Sequence, residues 1–232
     1  MHFDAYTWYR HRLLRRFMIR GPIRVLNIGT GGGIETLRLL RYGNHVTATD
    51  NDEKAAIRTL NRVKRNGLAS HYNMAVGHVL TVEIEGKFDE IYMCEVLEHI
   101  ADDLSALQRI SNWLVPGGRL ILSTPTASYG QLNFQELSLK EDGGHLRVGY
   151  EGPELDKMLE AVGIFTLKRI YNGNHIIQQY LSIETWLLNR NNIIIKLLCG
   201  CLSVIMRPVL PLLDIYCNRP YDQITLAIKK YW

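Results

Sequence analysis

The sequence predicts a doubly wound α/β fold with a mostly parallel sheet, and three observations lead to this prediction. An apolar, strand-like run at 25–28 breaks into a glycine-rich turn at 29–33. Strand-like and helix-like segments then alternate along the chain, which favours parallel strands with helices on both faces. The glycine-rich and polar motifs fall where strands end, which is where such sheets bind ligands. The length of 232 residues fits one domain with an elaboration.

Helical periodicity and start signals predict the helices. The first stretch, 4–19, places Tyr9, Leu13 and Phe17 on one face, which predicts a packed stripe with solvated arginines opposite it. A helix at this end of the chain is also expected to cover the bound ligand. Further helices are predicted from about 34, over 52–65 after a cap at Asn51 or Asp52, from Asp102 or Asp103 to about 114, and over 153–162.

Seven strands are predicted between and after these helices. They are expected at 25–28, 45–49, 72–76, 88–93, 119–124, 164–170 and 224–229. The segment 116–118, Pro-Gly-Gly, is expected to turn into the fifth strand. A mostly parallel seven-stranded sheet follows from this order.

The segment 176–222 is an insertion before the last strand, and it is rich in apolar residues. Its run 193–213 is long enough to span a membrane, but Lys196, Arg207 and two prolines within it argue against a membrane-spanning helix. We expect helices that cap the substrate side or pair two subunits without crossing a bilayer. A buried helical pair, a homodimer interface and a face for peripheral membrane contact or a lipid-like substrate remain open.

Composition excludes several classes of protein. Hydrophobic residues make up 47% of the chain, enough for a sizeable core, and the net charge of +4 does not by itself indicate nucleic acid. The N-terminal stretch is too rich in arginine for a signal peptide. The cysteines match neither a zinc ribbon nor a disulfide framework, so we expect a reducing, cytoplasmic location; they are Cys94, Cys199, Cys201 and Cys217.

The glycine turn and the carboxylate after it indicate a nucleotide-like ligand. Asp50 ends the second strand, roughly 20 residues beyond the turn, where a carboxylate can bind a ribose. A dinucleotide fingerprint would require glycine in place of Ile34, which weakens that alternative. The residues alone therefore predict a nucleotide-type ligand in a doubly wound sheet.

Three ordered motifs carry a resemblance to a known family. The spacing Asn27-x-Gly29-x-Gly31-x-Gly33 resembles motif I of class I S-adenosyl-L-methionine (SAM) methyltransferases, whose first position is usually acidic. The run 88–100, FDEIYMCEVLEHI, resembles their fourth strand and the segment after it, and the run 114–120, LVPGGRL, resembles their turn before the fifth strand. The resemblance covers about 24–170 and implies a Rossmann-like enzyme that uses SAM.

The resemblance also implies which residues hold the cofactor. Asp50 is expected at the ribose hydroxyls and Asn51 beside the adenine. His78 stands where the family often has an acidic residue that reads the adenine amine, and the Val79 amide could serve there instead. Cys94 is expected to border the methionine amino group. The full set of expected cofactor contacts is Asn27, Gly29, Thr30, Gly31, Gly33, Asp50, Asn51, His78, Val79, Cys94 and Glu95.

The E-x-x-E-H run suggests two versions of the chemistry. Glu95, Glu98 and His99 share one side if a helical turn begins there, and such ligands suit a divalent metal. The run resembles small-RNA 2′-O-methyltransferases and quinone-pathway O-methyltransferases, in which another histidine follows the fifth strand; here His145 lies at that place. A metal bound by these four residues would activate a hydroxyl. In the metal-free version His145 is the catalytic base and the Glu95 and Glu98 carboxylates orient it, with His99 as a further candidate catalytic residue.

Three functions remain open at this point. The first is O-methylation of a small or lipid-like hydroxylated molecule. The second is metal-dependent 2′-O-methylation of an RNA ribose, although no basic patch interleaved with aromatic residues predicts a nucleic acid partner. The third is a protein that binds SAM without turnover.

Overall fold

The computed structural model describes residues 5–127, 137–188, 190, 192–214 and 220–231. Seven strands form one sheet: β1 (Arg24–Ile28), β2 (His45–Asp50), β3 (Tyr72–Val76), β4 (Phe88–Cys94), β5 (Leu114–Pro125), β6 (Ile164–Asn172) and β7 (Asp222–Lys229). Seven helices are described: α1 (Ala5–Leu14), α2 (Ile34–Arg41), α3 (Glu53–Arg65), α4 (Asp103–Trp113), α5 (Gly152–Ala161), α6 (His175–Leu188) and α7 (Ile193–Leu213).

The sheet has the order β3-β2-β1-β4-β5-β7-β6. The pairs among β1 to β5 are parallel, and β7 runs antiparallel to both β5 and β6. The predicted doubly wound, mostly parallel sheet is therefore confirmed, with one antiparallel strand near its end. Strand order reverses between β1 and β4, and a crevice opens at the carboxyl ends of these two strands.

Local signals in the sequence account for the helix boundaries. The Asp52 carboxylate accepts a hydrogen bond from the Lys54 amide, and Asp102 accepts one from the Ser105 amide. The structure therefore selects Asp52 over Asn51 as the cap of α3, and Asp102 over Asp103 as the cap of α4. Helix α5 begins with a reciprocal capping box between Glu151 and Glu154, as its sequence permits.

Strand β5 differs from its prediction. The expected turn at 116–118 lies inside the strand, which already begins at Leu114. Its pairing with β4 shifts register between Phe88 and Glu90, so the added residues bulge at Gly117, whose φ is 76°. The two glycines therefore lie at a bulge inside β5, and not in a turn that precedes the strand.

Helix α1 is shorter than expected and is followed by a turn over 15–17. Tyr9, Leu13 and Phe17 are buried together, which confirms the packing stripe. The arginines are not all solvated: the Arg10 side chain is only 19% exposed, whereas Arg12 is exposed. The difference matters because Arg10 points towards the carboxyl end of β4 and the amino end of β7.

The insertion is helical, as predicted, but a buried helical pair, one of the open alternatives, does not describe α7. This helix packs against α1 and α6, yet only 17% of its most apolar 18-residue window is buried. That window has a mean hydropathy of 2.1, and among the described residues α7 is the one helix long and apolar enough to cross a membrane. Residues 215–219, with Cys217, lie outside the described residues.

Candidate functional site

A cavity of about 380 Å³ lies at the carboxyl ends of β1, β2 and β4, where the strand order reverses. Its wall includes several of the residues expected to hold a nucleotide-like ligand. The lining residues are Ile28, Gly29, Gly31, Thr49, Asp50, Asn51, Gly77, His78, Val79, Cys94, Glu95, Val96, His99, Ile100, Glu141 and Gly143. A ligand of nucleotide size fits such a cavity.

The glycine turn presents bare backbone to this cavity. Gly29 has a φ of 75°, and a Cβ on it would lie 2.2 Å from Val96 Cγ2, so only glycine fits there. Gly31 has a φ of 48° and open space around it. Gly33 does not line the cavity: it starts α2 in a left-handed conformation and faces Thr59, so it supports the turn.

Asp50 joins the second strand to this turn. One of its carboxylate oxygens accepts hydrogen bonds from the Gly31 amide at 2.9 Å and the Thr30 hydroxyl at 3.1 Å. Its other oxygen accepts one from the Asp52 amide at 2.9 Å. Asp50 therefore holds the turn in place while it lines the cavity, which is the arrangement that a ribose-binding carboxylate needs.

An acidic residue reaches the far end of the cavity from an unexpected segment. His78 Nε2 lies 3.2 Å from a carboxylate oxygen of Glu141, and the other oxygen of Glu141 accepts a hydrogen bond from the Ala101 amide. Glu141 was not predicted from the sequence, because it lies in a loop without periodicity. Asn51 and Val79 line the cavity as expected.

Asn27 lies one layer back from the cavity. It is 2% exposed, and its side-chain amide donates a hydrogen bond of 2.8 Å to the Thr36 hydroxyl on α2. It lines a neighbouring cavity of about 300 Å³ together with Arg10, Thr30 and Glu95. The amide in place of the family's usual acid therefore ties β1 to α2.

Glu95 has a strained backbone at the end of β4. Its φ is 53°, the one positive value at a non-glycine residue among the described positions. This conformation directs its carboxylate to the Ser123 hydroxyl at 2.7 Å and to the Arg10 guanidinium at 2.9 Å. Arg10 also lies 3.9 Å from the fully buried Asp222.

These charges form a network that fastens α1 to the sheet. Burial alone would lower the pKa of Arg10, but the Glu95 and Asp222 carboxylates raise it above its usual value. Burial and the nearby Glu95 raise the pKa of Asp222. Tyr6, also on α1, donates a hydrogen bond of 2.6 Å to Asn172 at the end of β6. None of the three residues Arg10, Tyr6 and Asp222 was predicted from the sequence to have this role.

The predicted histidine and carboxylate cluster is assembled, but without Glu95. Leu97–His99 is a 3-10 turn after the kink, not the helical turn that would align all three residues. Glu98, His99 and His145 each offer a ligand atom, and these atoms lie within 4.8 Å of one another. The two imidazole rings meet edge to face at 4.7 Å. His99 Nδ1 lies 2.9 Å from the Gly144 carbonyl oxygen, which fixes its ring.

The electrostatics of this cluster follow from burial. Glu98 is fully buried, and within the described part of the chain its carboxylate oxygens have no hydrogen-bond partner. Burial, followed by the charge of Glu95, raises the pKa of Glu98 well above the usual value. Burial and then His99 lower the pKa of His145. Such a carboxylate beside two imidazoles fits a divalent cation, which would stabilise the charged form of Glu98.

The fold, the glycine turn and the carboxylate that closes it define the class of the protein: it is a class I SAM-dependent methyltransferase. A family model described as a methyltransferase domain matches residues 2–168, well over half of the chain. The chain belongs to this methyltransferase family, and it is an enzyme that takes its methyl group from SAM.

Ubiquinone biosynthesis O-methyltransferases are among the similar proteins. The one from Aromatoleum aromaticum is 34% identical over 167 residues, which cover 69% of this chain and 71% of the relative. The one from Caulobacter sp. strain K31 is 36% identical over 125 residues, which cover 51% of this chain and 50% of the relative. The chain thus spans about half the length of some of the curated relatives that it matches.

Solved structures share the fold. The N-methyltransferase NodS from Bradyrhizobium japonicum WM9, crystallised with S-adenosyl-L-homocysteine, matches with a TM-score of 0.64 and 17% identity, covering 97% of this chain and 88% of that one. At this identity the likeness supports the Rossmann-like architecture and says nothing about the methyl acceptor.

Proposed function

We propose that this enzyme methylates a hydroxyl group of a small, lipid-like molecule of the quinone type. The observation that carries the proposal is the cluster of Glu98, His99 and His145 beside the SAM cavity, because a hydroxyl must lose its proton to attack a methyl group. The ubiquinone O-methyltransferase relatives support the acceptor class. The alternative of RNA ribose methylation gains no support from these relatives.

The residues around the cavity fit SAM. The close packing of Gly29 against Val96 and the open backbone at Gly31 leave a wall without side chains for the methionine end, and Asp50 faces the ribose position. Asn51, His78 and Val79 line the end that would hold the adenine, and Cys94 and Glu95 line the methionine side. When bound, SAM supplies a methyl group on a positively charged sulfur. Positioning alone supplies up to about 7–11 kcal/mol of barrier reduction in reactions of this kind.

The chain's own groups then prepare the hydroxyl. In the metal-free version the neutral imidazole of His145 accepts the hydroxyl proton, since its lowered pKa leaves it uncharged near pH 7. Arg10 and Ser123 hold Glu95 at the rim of the cavity. In the metal version Glu98, His99 and His145 hold a divalent ion, which would lower the pKa of the hydroxyl.

Transfer from labelled SAM tests the proposal. The purified chain is incubated with SAM carrying a labelled methyl group and with hydroxylated aromatic acceptors with and without a prenyl tail. We expect a product heavier by one methyl group on oxygen, formed faster with the prenylated acceptor. Label found only on nitrogen, on carbon or in added RNA would contradict O-methylation. If SAM binds but none of these acceptors receives label, the proposed acceptor class is contradicted.

A further inference from the structure

The outward side of α7 is an uninterrupted apolar face. Leu197, Leu198 and Ile205 are 65%, 63% and 63% exposed. Cys199, Ser203 and Leu210 point the other way and are buried. The exposed members of this α7 face are Ile193, Ile194, Leu197, Leu198, Leu202, Val204, Ile205 and Leu212. A soluble surface rarely leaves so many large apolar side chains together in water.

Helix α6 extends the face. It packs against α7, and its Ile183 and Trp186 are 59% and 57% exposed. The Arg190 guanidinium lies over the Trp186 ring at 4.2 Å. A tryptophan with a cation beside it suits the boundary between hydrocarbon and lipid headgroups, where the apolar ring and its polar edge find different surroundings.

The charged residues of α7 and of the segment just before it are all positive. The sequence from 185 to 213 contains no Asp or Glu, and its cations are Arg190, Lys196 and Arg207. Lys196 and Arg207 are eleven residues apart, about three helical turns, so they flank the face on the same side. The neighbouring acids point inward: Glu184 is 3% exposed, and Asp214 accepts hydrogen bonds from Tyr9 and Gly173.

Helix α1 continues this basic rim. It packs against α7, and the Trp8 ring lies within 6 Å of both the Arg12 and the Arg207 guanidinium carbons, at 5.6 and 5.8 Å. Arg12 is exposed, whereas Arg15 and Arg20 lie on the α2 side, beside Tyr42. The cations of two separate segments thus meet beside the apolar face.

We propose that the α7 face docks on a membrane surface that contains anionic lipids, with the helix lying in the plane of the headgroups. The apolar side chains enter the acyl boundary, and the cations of the rim pair with anionic headgroups. A second copy of the chain is a poorer occupant, because it would bring two all-positive rims together. A spanning helix would have to leave α1 and uncover the buried Cys199, Ser203 and Leu210.

Vesicle sedimentation with the full chain tests the docking. The probes are vesicles of phosphatidylcholine alone and of phosphatidylcholine mixed with phosphatidylglycerol. We expect binding to the anionic vesicles, weaker binding to the neutral ones, and release from the anionic vesicles as salt screens the charges. Equal binding to both kinds of vesicle, or bound protein that resists high salt and alkaline wash, would overturn the proposal in favour of a purely apolar or a spanning contact.

Matched variants locate the contact. Leu197→Glu and Ile205→Glu should each weaken vesicle binding at least about tenfold, because a buried leucine or isoleucine contributes about that much to transfer from water. Lys196→Glu should weaken binding to anionic vesicles about fivefold. The control Ile57→Glu changes an equally apolar residue, 49% exposed on α3, and should bind as the unmodified chain does.

Two further measurements distinguish membrane docking from misfolding of the variants and from dimerisation. SAM affinity, measured by calorimetry without vesicles, should stay unchanged in all four variants, which shows that they are folded. Light scattering should give the same monomer mass before and after Leu197→Glu. A dimer that Leu197→Glu dissociates, together with no vesicle binding by the unmodified chain, would assign the face to a second copy. The docking assay needs no acceptor substrate, so its result is independent of the proposed O-methylation.

Discussion

Asp50 combines two tasks: it lines the cavity, where a ribose contact is expected of it, and it holds the glycine turn through Gly31 and Thr30. The spacing in the sequence predicted the first task. The second depends on the path of the turn, which brings its amide and hydroxyl donors to one carboxylate oxygen, and no pattern of residue types specifies that path.

Replacing Asp50 should therefore weaken SAM binding. We expect Asp50→Ala to cost at least about 1.5–3 kcal/mol of binding free energy, since hydrogen bonds to a charged group contribute that much, with a further loss from a looser turn. Calorimetry with SAM measures the effect. The matched control is Asp52→Ala, which removes the cap of α3 and an exposed ion pair with Arg58 and should leave SAM affinity unchanged. Equal affinities in both variants would contradict the assignment.

His145 distinguishes the two versions of the chemistry. In the metal-free version His145→Ala should lower kcat by about 10²–10⁴-fold, and a chelator should have no effect. Because the pKa of His145 lies below its usual value of 6.5, the imidazole becomes protonated, and the rate falls, only as the pH drops below about 6.5. In the metal version a chelator should abolish turnover while SAM binding persists. Turnover that survives both chelation and His145→Ala would contradict both versions.

The cluster of Glu98, His99 and His145 was only partly predictable from the sequence. The E-x-x-E-H run and the later histidine correctly predicted that Glu98, His99 and His145 meet. Glu95 was expected to join them through helical spacing, but its positive φ breaks that periodicity. A backbone kink of this kind is imposed by tertiary contacts, here with Ser123 and Arg10, and has no local signature in the sequence.

At the scale of the element, α1 is fastened over the site by one partly buried arginine. The helix itself was predictable from the spacing of its apolar residues. The role of Arg10 was not, because its partners Glu95 and Asp222 are far away in the sequence and only the fold brings them together. Charged residues on a short amphipathic helix look alike until the packing direction is known.

Removing the charge of Arg10 should destabilise the protein strongly. Arg10→Gln leaves Asp222 and Glu95 partly or fully buried without their cation, and breaking a buried pair in this way costs about 3–5 kcal/mol of unfolding free energy. Urea denaturation measures the loss. Arg12→Gln, on the exposed side of the same helix, should change stability by less than about 0.5 kcal/mol. A loss in Arg10→Gln no larger than in the control would show that the network carries no stability.

At the scale of the whole molecule, the order of motifs along the chain was enough to predict the sheet. Seven strands, their mostly parallel pairing and the insertion before β7 agree with the prediction. The surface of α7 could not be predicted, because an apolar run of that length is compatible with a core helix, an interface and a bilayer. The buried fraction of the helix distinguishes these three alternatives, and that fraction depends on which other elements pack against the helix.

The pairing of β6 with β7 has a consequence for folding. Asn172 and Asp222 are register partners, so this antiparallel pair closes a loop of roughly 50 residues where a short hairpin connection would be common. Compared with a loop of about six residues, three doublings of length cost about 2 kcal/mol of closure entropy. The contacts of α7 with α1 and α6 must offset that cost, although most of α7 remains uncovered.

The insertion should therefore open before the sheet does. In hydrogen exchange followed by mass spectrometry, we expect the amides of α6 and α7 to exchange at least about tenfold faster than those of β4 and β5, whose neighbours lie on both sides. Uniform protection across both regions would show a single cooperative unit. The nascent chain would thus complete its sheet only after the entire insertion has been synthesised, since β7 fills the place between β5 and β6.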